Sequence, residues 1–212
     1  MSVHMRPEEI EAESFRIIDR EAGPHPWSPV EWPIVRRAIH TSADFEYARS
    51  LFFSPSAVAR GVAALRSGRG IVTDTTMALS GISKERLARF GGSVSCFVAD
   101  PDVAREAREQ GITRSILALR KGAGDRENGI FVIGNAPTAL FELLRLVREE
   151  GLQPDLVIGL PVGFVGAAES KERLLLEGEE FDLPFITNRG RKGGSNVAAS
   201  VVNALLILAE ES

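Results

Sequence analysis

The segment of residues 189–195 carries the clearest chemical signal in the sequence. It contains three cations, Arg189, Arg191 and Lys192, and three glycines. Glycines let backbone amides approach a ligand closely, and the N-terminus of the helix predicted to follow favours an anion. The composition therefore predicts a cradle for a carboxylate or a phosphate, with a solvated basic turn as the alternative.

Three other loops of unusual composition stand where a predicted strand meets a predicted helix. They cover residues 74–77, 134–138 and 159–171, and none has the glycine spacing of a Walker loop or a G-x-G-x-x-G motif. Ligands of open α/β sheets bind beyond the carboxyl ends of the strands, so these loops are candidate parts of one site. A plain capped helix is the alternative for residues 134–138. Phe164 is either an apolar platform for a flat ligand or, more usually for such a residue, part of the core.

The histidine at position 40 is predicted to close a helix, where the negative end of the helix dipole stabilises a protonated ring. Histidine also exchanges protons near neutral pH, which suits acid–base chemistry. From the residues alone, a surface or capping histidine is nevertheless the favoured interpretation. His4 and His25 are expected to be solvated, Cys96 to lie in a core strand, and no spacing of ligands indicates a metal site.

Short apolar strands are predicted to alternate with helices along the chain. The candidate loops and His40 lie at the ends of these elements, so the fold determines where they are placed. We expect a three-layer α/β/α fold with a mostly parallel, five-stranded sheet, because strands that are apolar on both faces need helices on both sides. Residues 1–67 are expected to form a helical cap, with residues 51–53 as the exception, on a single domain of residues 1–212. The predicted strands are residues 71–74, 94–98, 130–134, 156–159 and 184–187, and the predicted helices are residues 7–21, 28–40, 54–68, 101–111, 137–150, 167–176 and 194–210.

The charge of the chain excludes some classes of partner. A net charge of −4 argues against a non-specific binder of nucleic acid or of membrane surfaces. Of the 25 cationic residues only four are lysines, and arginine is suited to bidentate binding of a small anion. The apolar stretches are too short to span a membrane, and the first 20 residues lack the apolar segment of a signal peptide. We therefore expect a cytoplasmic protein.

Three motifs together resemble a known family, the precorrin-8X methylmutases of cobalamin biosynthesis. They are Ile133-Gly134-Asn135-Ala136-Pro137-Thr138-Ala139-Leu140-Phe141, the segment of residues 159–171, and the cationic segment of residues 189–195. The resemblance extends in order over nearly the whole chain, through residues 14–18, 37–40, 53–55, 113–115 and Asp74, Met77 and Gly81. Trp27, Trp32 and Pro33 depart from the family pattern and leave the start of the second helix open.

The resemblance implies an isomerase that moves a methyl group from C-11 to C-12 in ring C of precorrin-8X or cobalt-precorrin-8. The family performs this as a 1,5-sigmatropic shift within one molecule, so it implies no cofactor and no external methyl donor. His40 falls at the family's catalytic histidine, which protonates or hydrogen-bonds the macrocycle. We hypothesise that His40 acts as the imidazolium. The family also implies a homodimer with its sites at the subunit boundary.

The implied substrate is a flat apolar ring rimmed by carboxylates, which requires an apolar slot with cations and amides at its edge. The residues that resemble the family's substrate-binding positions, or that suit this slot, are Ser14, Arg37, Arg114, Gly134, Asn135, Ala136, Thr138, Phe164, Ser170, Lys171, Arg189, Arg191, Lys192, Gly194 and Ser195. Two alternatives stay open. One is a non-catalytic corrinoid-binding protein, and the other is a nucleotide or phosphosugar enzyme that uses the same anion loops.

Overall fold

The structure, a computed structural model, describes residues 6–211. The prediction for His4 therefore lies outside the described residues. The strands are β1 Leu51–Phe53, β2 Gly70–Thr73, β3 Val94–Ser95, β4 Asn128–Ile133, β5 Leu156–Gly159 and β6 Phe185–Asn188. The helices are α1 Pro7–Ala22, α2 Trp32–Ser42, α3 Tyr47–Ser50, α4 Ala57–Arg66, α5 Thr76–Gly81, α6 Lys84–Arg89, α7 Pro101–Gln110, α8 Arg114–Ala123, α9 Pro137–Glu150, α10 Ala167–Glu180 and α11 Ser195–Glu211.

The strands form one six-stranded sheet in the order β1-β6-β5-β4-β2-β3. Strands β2 to β6 are parallel, and β1 is antiparallel to β6, with Phe52 opposite Thr187. The prediction of five strands was therefore wrong by one. The sixth, β1, is formed by residues 51–53, which were expected to be an exception to the helical region but were not counted as a strand, and they form one through pairing with β6. Along the sheet the strand order reverses between β2 and β4, which creates a crevice at their carboxyl ends.

Successive residues of the central strands pack into two different cores, one on each face of the sheet. In β4, Ile130 and Val132 belong to the first core, while Phe131 and Ile133 belong to the second. Helices α1, α2, α4 and α11 cover the first face, and helices α8, α9 and α10 cover the second. This arrangement confirms the three-layer α/β fold. The N-terminal helices α1, α2 and α4 share their layer and its core with α11.

Several element boundaries differ from the prediction for local reasons. Strand β3 has only two residues because it pairs at the sheet edge through Ile71 and Val72 alone, and Cys96 follows it, half-buried, outside any strand. Helix α2 begins at Trp32, after Ser28 has donated its amide and hydroxyl hydrogens to the Glu31 carboxylate. The following proline then lies in the first helical turn, where no amide donor is needed. The short helices α3, α5, α6 and α8 were not predicted.

Candidate active site

The loops that follow the parallel strands meet at one edge of the sheet. The Leu160 amide donates to the Ile133 carbonyl at 2.8 Å, and the Gly194 amide donates to the Leu160 carbonyl at 2.9 Å. The Gly163 amide donates to the Arg191 carbonyl at 3.1 Å. The structure therefore brings together the three motifs of residues 133–141, 159–171 and 189–195, as expected from their positions after strands.

Two glycines in these motifs permit the loops to pack closely. A Cβ atom on Gly193 would lie 2.2 Å from the Leu160 carbonyl oxygen, and one on Gly134 would lie 2.6 Å from the Ser195 Cα. The Ser195 hydroxyl, which is buried, also shares a 2.7 Å hydrogen bond with the Thr75 hydroxyl. Gly134 and Ser195 thus join the loops to one another, and their predicted contact with substrate stays a prediction.

Asp74, directly after β2, is the central buried anion of this edge. Its side chain is only 5% exposed, and its carboxylate accepts the backbone amides of Gly134 at 2.9 Å, Asn135 at 2.8 Å and Ala136 at 2.6 Å. Burial raises the pKa of the Asp74 carboxyl, while the three amide donors act in the opposite direction. The amides at the start of α9, expected to bind substrate, are therefore occupied by a carboxylate of the chain itself.

Lys171 and Ser170 on α10 are fully buried, so the structure places neither side chain at the surface of the site. The Lys171 ammonium donates to the Asn188 side-chain oxygen at 3.1 Å and to the Lys192 carbonyl at 2.6 Å. The Ser170 hydroxyl donates to the carbonyl of Ala167. Both were expected to bind substrate. In this structure the Lys171 ammonium holds the backbone of the cationic loop at Lys192, and substrate contact by either residue stays a prediction.

The buried charge of Lys171 makes stability depend on pH. Burial lowers its pKa to about 8, against an ordinary value of 10.5 in the unfolded chain. Between these two pH values the unfolded chain binds more protons than the folded chain, so the free energy of unfolding rises with pH. Above both values Lys171 is neutral in either state, and the cost of burying its charge is gone. We expect the stability of the wild type relative to Lys171→Met to increase by about 2–3 kcal/mol from pH 7 to pH 10.5. Urea unfolding of both proteins across this range checks it, and a constant difference would contradict it.

The cations of the candidate site differ in whether the chain already neutralises them. Two are bound by carboxylates from other elements: the Lys192 ammonium by Asp44 and Glu46, and the Arg37 guanidinium by Glu11. The contact with Lys192 lowers the pKa of the Asp44 carboxyl. Arg189 lies 3.9 Å from the Glu172 carboxylate, at the limit of an ion pair.

Arg114 and Arg191 are the candidate cations that remain available, because neither has an acidic partner within residues 6–211. Both side chains are exposed. The Arg191 guanidinium lies 5.5 Å from the ring centroid of Phe164. Phe164 is itself 83% exposed and its neighbour Val165 is 90% exposed, so the usual interpretation of Phe164 as a core residue was wrong. The loop presents an open apolar surface beside a cation.

His40 lies in the last turn of α2 with its side chain exposed. Its imidazole makes an edge contact with the Phe15 ring, with centroids 5.2 Å apart. The chain segment directly after α2 carries Asp44, which binds Lys192, so the histidine end of α2 is tied to the cationic loop. The other described histidine, His25, is half-buried and stacked on Trp32 at 3.8 Å rather than solvated as expected.

The remaining candidates have local partners. The Ser14 hydroxyl donates to the Ile10 carbonyl of its own helix, and the Thr138 hydroxyl accepts from Thr113 at 3.1 Å. Asn135 has an exposed side chain, although its backbone amide is bound to Asp74.

Sequence reasoning missed the chain's own carboxylates and the buried amide that organise the site. These are Glu11, Asp44, Glu46, Asp74 as an acceptor, and Asn188. Only for Asp74 was a signal available, since a carboxylate directly after a buried strand faces the adjacent helix N-termini. The others depend on contacts between distant parts of the chain.

Within residues 6–211, no group of three or more histidine, cysteine, aspartate or glutamate side chains could hold a metal ion. No helix in the same range is long and apolar enough to cross a membrane.

Comparison with known proteins places this arrangement in a family. The family model for precorrin-8X methylmutase matches residues 9–208. The chain is 49% identical to the cobalt-precorrin-8 methylmutase of Priestia megaterium, over 97% of this chain and 90% of that protein. It is 50% identical to the enzyme of the same name from Salmonella typhimurium, over 95% of each chain. A crystal structure of precorrin-8X methylmutase from Thermus thermophilus superposes with a TM-score of 0.87 at 43% identity, covering 96% of this chain and 97% of that one. The chain therefore belongs to the precorrin-8X methylmutase family.

Proposed function

We propose that this protein is an isomerase that moves a methyl group from C-11 to C-12 of ring C in precorrin-8X or cobalt-precorrin-8. The bond from the methyl carbon to C-11 breaks as the bond to C-12 forms, so the reaction stays within one molecule. The observation that carries the proposal is His40, which is exposed and held by an aromatic ring at the family's catalytic position. A protein that only bound the pigment would not require this histidine.

The exposed side chains among the candidate residues suit a flat ring with carboxylates at its rim. We propose that Phe164 supports the apolar face, that Arg114, Arg189 and Arg191 bind carboxylates, and that Asn135 contacts the rim. Charge developing on the rearranging ring is stabilised by His40, which contributes more in the transition state than in the bound substrate.

The other candidate residues are either paired with groups of the same chain or buried in or beneath the loops. Substrate carboxylates reach Arg37 and Lys192 by displacing the carboxylates of the chain that now bind them. Ser14 and Thr138 stay proposed substrate contacts, although each hydroxyl already has a partner within the chain. The buried candidates shape the loops from within: Gly134, Ala136, Ser170, Lys171, Gly194 and Ser195.

The experiment that tests the function is the absorption spectrum of the purified protein mixed with its pigment. Precorrin-8X and cobalt-precorrin-8 are supplied separately, without any methyl donor. The expected result is time-dependent formation of the corrin spectrum with at least one of them, and a product of unchanged mass and new chromatographic retention. A shift of bands that is complete on mixing, with the original pigment recovered after denaturation, would identify a binding protein and contradict the proposal.

Asp74 argues against a nucleotide or phosphosugar enzyme. In open α/β sheets, a phosphate usually binds amides at a helix N-terminus beside the point where the strand order reverses. Here the amides at the start of α9 are already hydrogen-bonded to the buried Asp74 carboxylate. A phosphate would have to displace that carboxylate, whereas a ring with carboxylates at its rim can be bound by the arginines outside it.

We further propose that two copies of the chain form the working unit. In a single chain the Phe164 and Val165 side chains are almost fully exposed, so one wall of an apolar slot is missing. A second copy would supply that wall and cover both side chains. Sedimentation equilibrium checks this: a dimer is expected for the wild type, and a monomer across the micromolar range would contradict it.

The domain and the compartment also remain proposals. We propose that residues 1–212 act as one domain, which the shared core of α1, α2, α4 and α11 supports. We propose a cytoplasmic location, which the use of a single cysteine supports. A single cooperative unfolding transition, and recovery of the protein in the cytoplasmic fraction of its cell, are the respective tests.

Arg191 offers a test of the carboxylate sites. We expect Arg191→Ala to weaken binding of the corrin product about tenfold at low salt, because a charge-assisted hydrogen bond is lost. The difference should shrink at high salt, where exposed charges are screened. Arg105→Ala, which removes an exposed arginine of α7, is the matched control and should leave the affinity unchanged. Equal affinities of Arg191→Ala and wild type would remove Arg191 from the site.

A further inference from the structure

Three residues of α1 form a stripe that faces the histidine end of α2. Glu11, Phe15 and Asp19 are spaced four residues apart, which places them on one side of the helix. Each contacts a side chain of α2. The Glu11 carboxylate binds Arg37, and the Asp19 carboxylate accepts from Arg36 at 2.9 Å. The middle residue, Phe15, lies between these two ion pairs.

The Phe15 ring is the point where the functional side chains of α2 meet. The Arg36 guanidinium carbon lies 4.4 Å from the ring centroid, and the Arg37 guanidinium carbon lies 4.8 Å from it. The His40 imidazole lies 5.2 Å away, with its plane inclined at 62° to the ring. One aromatic side chain therefore contacts two cations and the proposed catalytic group.

These contacts matter because His40 has little else to hold it. Its side chain is exposed at a helix end, and within residues 6–211 no hydrogen bond from another side chain fixes the imidazole. An exposed side chain without such contacts samples several rotamers. The Phe15 ring attracts both guanidinium groups through its π face and limits the space open to the imidazole.

We infer that Phe15 is a positioning residue, whose ring fixes the His40 imidazole and the Arg37 guanidinium in one arrangement before substrate binds. The inference rests on the proposed function, because it assigns Phe15 a part in the same reaction. Phe15 does not react. It acts through His40, and Glu11 and Asp19 keep the two guanidinium groups in place around its ring. A loss of the ring should therefore slow the reaction more than it weakens binding.

Two substitutions at this position separate the aromatic ring from simple apolar bulk. Phe15→Leu retains an apolar side chain but removes the ring, and Phe15→Tyr retains the ring. Ile18→Val, one turn further along α1, is the control for a small loss of core packing, because Ile18 is buried and belongs to the first core. For each protein we would measure the melting temperature, kcat and KM for the isomerisation, and the NMR resonances of the His40 ring protons. The chain has three histidines, so His40→Gln assigns those resonances by their loss.

The expected result is specific to a positioning role. Phe15→Leu lowers kcat about tenfold or more, changes KM little, and moves the His40 resonances, because the ring current of Phe15 is gone. Phe15→Tyr restores the rate and keeps the resonances near their original positions. Ile18→Val lowers the melting temperature but changes neither kcat nor the His40 resonances. If Phe15→Leu lowers only the melting temperature and leaves kcat and the His40 resonances unchanged, the inference is wrong.

The resonances also separate this inference from the proposed function. A wild-type protein that forms no corrin from either pigment would contradict the function. In that case the His40 resonances would still show whether the Phe15 ring lies against the imidazole, since they are measured without substrate, and unchanged resonances in Phe15→Leu would contradict the inference.

Discussion

His40→Gln is expected to slow the methyl shift by about 10²–10⁴-fold, the usual effect of removing a general acid or base. The physical reason is that glutamine can donate a hydrogen bond to the macrocycle but cannot carry a proton to it. The side chain is exposed and contributes little to the core, so the folded structure should persist. The measurement is the initial rate of corrin formation from the absorption spectrum, together with the affinity for the corrin product.

The control for this substitution is the other described histidine. His25 is half-buried and stacked on Trp32. Trp32 is the first residue of α2, whereas His40 lies in the last turn of that helix. We expect His25→Gln to retain the wild-type rate within about threefold, since it removes no group that reaches the substrate. The affinity of His40→Gln for the product should also stay within about threefold, because binding depends on the apolar surface and the arginines. A wild-type rate for His40→Gln would eliminate the catalytic role.

The sequence was sufficient for the layers of the fold because their signal is local. Residues 130–133 of β4, for example, are apolar on both faces of the strand, and only a sheet covered by helices on both sides can bury them. The strand β1 has no comparable signal. Its residues 51–53 form a strand because they pair antiparallel with β6, which follows more than a hundred residues later. No local pattern could have indicated that partner.

The sequence indicated which residue types form the candidate site, but it did not indicate which of its cations and amides are bound by carboxylates of the same chain. The cations of residues 189–192 lie on the loop that follows β6, at the edge of the sheet where the three motifs meet. Their availability depends on partners from elsewhere: Asp44, which neutralises Lys192, lies 148 residues away in sequence. The same limit applies to the amides at the start of α9. Glycine and helix position predicted an anion there, and the anion proves to be Asp74 of the same chain.

This distinction changes how the excess of arginine is interpreted. Most of the arginines in the described part of the chain take part in ion pairs with its own carboxylates, such as Arg145 with Glu142 or Arg148 with Glu177. Those pairs are structural. Under the proposed function, a polycarboxylate ligand would meet a small number of cations that are exposed and unpaired in the described chain, of which Arg191 lies beside the apolar Phe164.

Asp74→Asn is expected to lower the free energy of unfolding by about 3–4 kcal/mol. The two carboxylate oxygens of Asp74 accept three consecutive backbone amides, from Gly134, Asn135 and Ala136. An asparagine has one acceptor oxygen, so its own amide group must face at least one of these buried N–H groups. The side-chain NH2 group and a backbone N–H group then face each other with no acceptor between them and no water to replace it. The remaining hydrogen bonds are weaker because their acceptor is no longer charged.

The same substitution should affect function beyond stability. The turn held by Asp74 positions Asn135 at the surface and Gly134 against Ser195, so the edge formed by the three motifs should shift. We expect product affinity to fall even at temperatures where the variant is folded. Urea unfolding and product titration measure the two effects. Asp102→Asn is the matched control, because that carboxylate is exposed and forms an ion pair with the exposed Lys121, and its loss should cost less than about 1 kcal/mol. If Asp74→Asn were as stable as Asp102→Asn, the three amides would not depend on a charged acceptor, and the argument that this position excludes a bound phosphate would fall with it.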